Sequence, residues 1–125
     1  MSADYRHSEI TERIIGAAYE VHNTLGPGSV EKVYENALSA ELRTAGMSVS
    51  QQHPMKVTYK GSIVGEFTAD LVVDDKVIVE VKAVSQLLKD HEVQLVNYLR
   101  GTGINVGLLV NFGRSVEVKR RVFDQ

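Results

Sequence analysis

Glu80 and Lys82 are two ionisable residues inside Val77-Ile78-Val79-Glu80-Val81-Lys82, a run whose other members are all apolar. Residues two apart on a strand point to one face, so this carboxylate and this ammonium share an environment while Val79 and Val81 face the other way. Upstream, Asp70 sits between Phe67 and Leu71-Val72-Val73, and the hairpin register decides whether it joins them. A three-residue loop, Asp74-Asp75-Lys76, sets Val73 against Val77 and Asp70 opposite Glu80 on the same face. A two-residue loop, Asp74-Asp75, sets Asp70 against Val79 and on the wrong face. We expect the odd-numbered loop. Two carboxylates with Cβ atoms about 5 Å apart repel, and a hard divalent cation, Mg²⁺ or Mn²⁺, is the natural occupant between them. Such an ion keeps several waters, and can hold a phosphate oxygen while it activates a water against phosphorus. Lys82 would orient or deprotonate that water, or neutralise charge in the transition state. The competing reading is a plain Glu-Lys pair on a solvated strand face with Asp70 as its neighbour.

The elements that must carry these residues follow from periodicity. Ile10, Ile14, Ala17, Ala18, Val21 and Leu25 mark one face of a helix from Ser8 to Leu25, with Ser8 as N-cap and Gly26-Pro27 as its stop. A second helix is expected after Ser29 and before Gly46, with Val30, Val33, Tyr34, Ala37, Leu38, Leu42 and Ala45 as its buried stripe. From Met47 the period becomes two, through a stretch interrupted by Pro54 and therefore edge-like or bent. Lys60-Gly61 turns the chain into Ile63 to Val73, and Val77 to Lys82 completes a meander of three strands. Ser85 to Arg100 reads as a helix that begins in earnest near Asp90 and is ended by Gly101-Thr102-Gly103. Asn105 to Phe112 is apolar enough for a strand buried on both faces, and Ser115 to Phe123 is a last edge strand. Helices must cover both faces of the buried strand, so the expected fold is α/β with a mixed central sheet.

Composition bounds the rest. The 125 residues fit one domain, 1–125, and 43% hydrophobic with 24% charged residues is ordinary globular usage. A domain of this size buries roughly two thirds of its unfolded surface, enough to stand without disulfides. Zero cysteines removes thiolate metal sites and cysteine nucleophiles and fits a reducing compartment. With no apolar leader and no run of about 20 apolar residues, the expected setting is cytoplasmic, with no membrane partner. The formal charge of −2 gives no global attraction for nucleic acid, so any such binding must be local.

Ala69-Asp70 followed by Glu80-Val81-Lys82 resembles the signature of the PD-(D/E)XK nuclease superfamily, with Ala69 in the place of the signature's proline. Gly28-Ser29-Val30-Glu31-Lys32-Val33-Tyr34 is similar to the GxxExxY signature of a bacterial small-protein family assigned to that superfamily. Val79 to Val84, His91-Glu92-Val93-Gln94 with Tyr98, and Gly107 to Gly113 match its other blocks in order, so that the resemblance runs from about Ile10 to Phe112. It implies a three-layer α/β/α restriction-endonuclease-like core. It implies an enzyme, a hydrolase using Mg²⁺ or Mn²⁺ on DNA or RNA, with Asp70 and Glu80 as metal ligands and Lys82 beside them. It also gives Glu31 the part of an auxiliary carboxylate near the metal; spacing alone allows this but favours Glu31 as a first-turn acid complementing the helix dipole. Glu35 and Glu41 are less favoured, and Glu41 needs a partner on the apolar face.

His91, Gln94 and Tyr98 form one helical stripe. By the resemblance Gln94 approaches the metal-bound water or phosphate, with Tyr98 ranked behind it; His91 caps the helix or lines the rim, and Tyr34 is core or packs beside the site. His7, His22 and His53 read as ordinary surface or helix residues, and Lys119-Arg120-Arg121 as a phosphate contact or a protected edge strand. Two other functions compete: a non-catalytic nucleic-acid-binding or assembly module that keeps the fold, and a metal-dependent hydrolase of a small phosphorylated molecule. No aromatic stacking platform is evident, so specificity would come from a protein partner or a homo-oligomer.

Overall fold

The computed structural model describes residues 6–124. Its elements, in chain order, are α1 (Ser8–Leu25), α2 (Glu31–Thr44), β1 (Val49–Tyr59), β2 (Ser62–Val73), β3 (Val77–Lys82), α3 (Lys89–Thr102), β4 (Val106–Phe112) and β5 (Val116–Val122). The five strands lie side by side in sequence order. All neighbours are antiparallel except β3 and β4, which run parallel because α3 carries the chain back between them. Every residue of β4 is buried, as its apolar run requires, and the basic tail forms the edge strand β5.

Two apolar layers result. Ile14, Ala18 and Val21 of α1 and Tyr34, Leu38 and Leu42 of α2 meet Leu71, Val73, Val77, Val79, Val81, Leu108 and Val110 on one face. On the other, Leu95 and Leu99 of α3 meet Val72, Ile78 and Leu109. The mixed sheet between helices is the expected α/β arrangement. Gly107 seats α3 on it: a Cβ there would stand 2.8 Å from Leu95 Cδ1.

Helix ends differ from expectation by small steps. Ser8 is the first helical residue of α1 and His7, at φ 56°, is its cap; Gly26, at φ 72°, ends the helix as expected. Val30 rather than Ser29 stands at the cap of α2, and the Ser29 N–H donates to the Tyr34 hydroxyl, 3.2 Å away. α3 starts at Lys89, four residues past Ser85. The buried face of α2 is Tyr34, Glu35, Leu38, Ser39 and Leu42, while Val30 and Val33 are exposed and so is Ala45. The helix is thus rotated from the orientation that maximal apolar burial suggests, and a carboxylate and a hydroxyl occupy its inner stripe.

The long β1–β2 hairpin turns over partway along. Near the core, odd-numbered Val49, Leu71 and Val73 pack on the α1/α2 face; beyond residue 52, odd-numbered Met55, Phe67 and Ala69 pack on the α3 face. Alternation along a strand forbids this unless the strand pair rotates in between. Gln52 marks the rotation, with φ 51° inside a strand. The ladder pairs Gln51 with Leu71 and His53 with Ala69 but skips Gln52 and Asp70. Edge strand β1 is bent as its sequence suggests, two residues before Pro54. Past the bend the arm closes on α3, where Phe67 stacks on Tyr98 with ring centroids 3.5 Å apart.

Gly107→Ala forces Leu95, 1% exposed, off its seat. We expect a loss of about 1–3 kcal/mol, read as a lower urea midpoint with an unchanged slope.

Candidate metal and active site

The register of β2 against β3 pairs Val73 with Val77, Val72 with Ile78 and Leu71 with Val79. This is the three-residue loop, with Asp74 and Asp75 at φ 53° and 57°, and it carries Asp70 to the position opposite Glu80. There the main-chain ladder gives way to crossed bonds in which main-chain N–H groups donate to the side-chain carboxylates. The Val81 N–H donates to Asp70 Oδ2 at 2.8 Å, and the Asp70 N–H donates to Glu80 Oε2 at 3.1 Å. Each carboxyl group is thus fastened to the opposing strand.

The cost of this proximity shows in protonation. Burial, then the charge of Asp70, push the Glu80 carboxyl from the usual 4.5 up to about 8; the Asp70 N–H and Lys82 offset only part of this. Asp70 is raised as well, first by burial and then by Glu35, against the lowering effects of the Val81 N–H, Gln52 and Lys82. Tyr98 of α3 is raised by burial and by the charges of Glu80 and Asp70, and is lowered by a hydrogen bond with Gln94. Tyr98 is therefore near enough to feel both carboxylates, and Gln94, exposed on the same helix, is its hydrogen-bond partner.

Asn111, 2% exposed, fixes the chain just after Lys82. It is paired with Lys82 across the parallel ladder, and its amide bonds both main-chain groups of Val84: Nδ2 donates to the Val84 carbonyl and Oδ1 accepts from the Val84 N–H, each at 2.9 Å. The ladder is thereby continued past the end of β3 by a side chain. Gly113 leaves room for this clamp, since a Cβ would stand 3.0 Å from the Val84 oxygen.

The helical carboxylate on this side is Glu35. Glu31 is exposed on the first turn of α2 and does not figure among the charges acting on Asp70 or Glu80, whereas Glu35, one turn on, acts on both. Glu35 is 3% exposed and accepts from Lys32 Nζ at 3.1 Å, from Gln51 at 2.8 Å and from Gln52 at 2.9 and 3.0 Å. The inner stripe of α2 is rotated so that Glu35 is buried while Glu31, expected as the auxiliary carboxylate, lies exposed one turn earlier. Glu41 is only partly exposed. Tyr34 is core: it stacks on Phe112 at 4.6 Å and its hydroxyl donates to the Gly26 carbonyl at 2.5 Å. His91 closes the first turn of α3, its Nδ1 accepting from the Leu88 N–H at 3.1 Å. Arg121 of the basic run is ion-paired with Glu92.

The donor set suits a hard cation. Asp70 and Glu80 offer oxygen only, each is destabilised in its ionised form, and no thiolate exists in the chain. Among the described residues no group of three His, Asp or Glu side chains is placed to ligate one ion, so these two would leave most positions to water and substrate, as Mg²⁺ prefers.

A mixed sheet between helical layers, with acidic residues crossed at the end of two central strands, defines a restriction-endonuclease-like α/β core. Two solved structures share it: one described as SSO0001, at TM-score 0.61 and 19% identity over 97% of this chain and 60% of that one, and an alkaline exonuclease from Laribacter hongkongensis, at TM-score 0.55 and 14% identity over 99% of this chain and 72% of that one. The chain thus spans about 60% of the length of the first. No curated protein matches it. The profile of the PD-(D/E)XK nuclease superfamily matches residues 8–122, and the chain belongs to that superfamily, whose members typically use divalent metals. Among the described residues no helix is long and apolar enough to cross a membrane.

Two measurements check this site. In metal-free protein the raised carboxyl makes the folded state hold more protons than the unfolded one between pH 4.5 and about 8. The stability that protonated Glu80 contributes is therefore complete below pH 4.5 and lost as the pH rises through about 8. Thermal unfolding should show this fall, and Glu80→Gln should flatten it. Asn111→Ala strands the N–H and carbonyl of Val84, and should lower the unfolding free energy by about 2–4 kcal/mol in urea titrations.

Proposed function

We propose that the protein is a divalent-metal-dependent nuclease hydrolysing phosphodiester bonds in DNA or RNA, and that it belongs to the GxxExxY branch of its superfamily. The observation that carries this reading is the reciprocal fastening of Asp70 and Glu80 at the end of the β2–β3 ladder, with Lys82 one strand repeat further on. A Mg²⁺ or Mn²⁺ ion held by these carboxylates supplies Lewis acidity toward a phosphate oxygen and a water of lowered pKa.

The chain's own groups supply the rest. Val81 and Asp70 N–H groups fix the carboxylates before substrate arrives, so little reorganisation is needed on binding. The Lys82 ammonium, close enough to lower both carboxyl pKa values, is positioned to orient the attacking water, to take its proton or to neutralise charge developing on the phosphoryl oxygens. Tyr98, with Gln94 hydrogen-bonded to it, offers a hydroxyl on the same face for a phosphate oxygen or that water. The exonuclease among the neighbours supports nucleic acid as substrate. With a net charge of −2, grip on a polyanion rests on local cations, or on a protein partner or second subunit that adds basic surface.

The test is purified protein with labelled single-stranded DNA, duplex DNA and RNA, each with Mg²⁺, Mn²⁺ or chelator. We expect metal-dependent cutting reduced about 10²-fold or more in both Glu80→Ala and Lys82→Ala. Cutting retained in both variants, or no cutting with no ion bound, would sink the reading.

A further inference from the structure

Gln52 is an exposed polar residue on an edge strand, a place where side chains seldom matter, yet it has the one backbone conformation in β1 that a side chain disfavours, φ 51°. Its amide makes an unusual set of bonds. Nε2 lies 2.9 and 3.0 Å from the two oxygens of Glu35 and 3.3 Å from Asp70 Oδ1. An amide NH₂ has two protons and no charge, so it can donate one to each of two carboxylates that would otherwise repel. The Asp70 carboxyl is then held at both oxygens, by Gln52 on Oδ1 and by the Val81 N–H on Oδ2, and its plane is fixed. Glu35 in turn is buried and held by Lys32 and Gln51, which makes it a rigid anchor for the amide.

We infer that Gln52 is a positioning residue: it transmits the fixed geometry of Glu35 to Asp70 and sets that carboxylate for a divalent ion, and its left-handed backbone is kept because only there does the amide span both acids. Strained residues persist where surrounding bonds over-determine them and the strain serves a site. Glu35 acts on the ion through Gln52, since the described residues bring no third acidic side chain into ligating position. This rests on the metal-dependent reading of Asp70 and Glu80 above.

Glycine at position 52 separates positioning from structure. It adopts φ 51° without penalty, which offsets part of the cost of the lost amide bonds, so Gln52→Gly should still fold cooperatively, as followed by thermal unfolding. Mn²⁺ binding by calorimetry should nevertheless weaken about tenfold, the usual effect of losing a group that orients a ligand. Glu35→Gln should weaken Mn²⁺ binding in the wild-type background and add little in the Gln52→Gly background, because both changes break one relay. Wild-type binding with an unaltered Gln52→Gly affinity overturns the inference alone. Full additivity of the two substitutions also overturns it, and makes Glu35 an independent contributor. Wild-type protein that binds no Mn²⁺ overturns the metal reading and this inference with it.

Discussion

The repulsion between Asp70 and Glu80 organises this molecule. Two carboxyl groups on neighbouring strands of a sheet, partly removed from water, raise each other's proton affinity, and a fold that only had to be stable would replace one of them. Here the opposing strands instead spend main-chain N–H groups on them, Val81 to Asp70 and Asp70 to Glu80. Those donors are the ones a regular ladder would use between strands. The β2–β3 ladder stops at Leu71 and Val79 because its next bonds are given to the acids.

Everything around the pair holds that local compromise in place. The Asn111 clamp on Val84 keeps β3 running straight past Lys82. Gly107 lets Leu95 of α3 seat closely on β4, and the same helix carries Tyr98, whose hydroxyl feels both acids. The rotation of the β1–β2 hairpin at Gln52 turns the outer arm onto α3, so that Phe67 covers the other side of Tyr98. On the opposite layer, Tyr34 ties the loop between α1 and α2 through Gly26 and Ser29 and thereby orients the helix that carries Glu35.

How much of this was legible in the sequence depended on how local the cause was. The register that brings Asp70 opposite Glu80 could be read from a period of two and a loop of three, because both are properties of adjacent residues. The buried strand β4 was equally plain from its unbroken apolar run. Glu35 was not, since the rule that apolar residues face inward favoured Val30 and Val33, and burial of a glutamate is made tolerable by the amide donors of Gln51 and Gln52, which arrive from β1, together with the Lys32 ammonium one turn back on the same helix. Gln52 left no mark either: a glycine would have announced a left-handed residue, whereas glutamine announces nothing. Asn111 passed unremarked within an otherwise apolar run, which carries no sign that its amide would bond the main chain of Val84.

The parallel pairing of β3 with β4 also dictates an order of events in folding. The β1–β2–β3 meander joins strands through short turns and can form from near neighbours, but Val77 meets Val106 only after the whole α3 segment has been folded back across the sheet. Closing that longer loop carries a larger entropic cost than either hairpin. The acids are therefore brought opposite each other early, on a meander still open on one edge and on its α3 face, while the strand that steadies Lys82 and the helix that brings Tyr98 arrive late. On that ordering the two acids would meet while still hydrated, and their desolvation would be imposed by the later, non-local step.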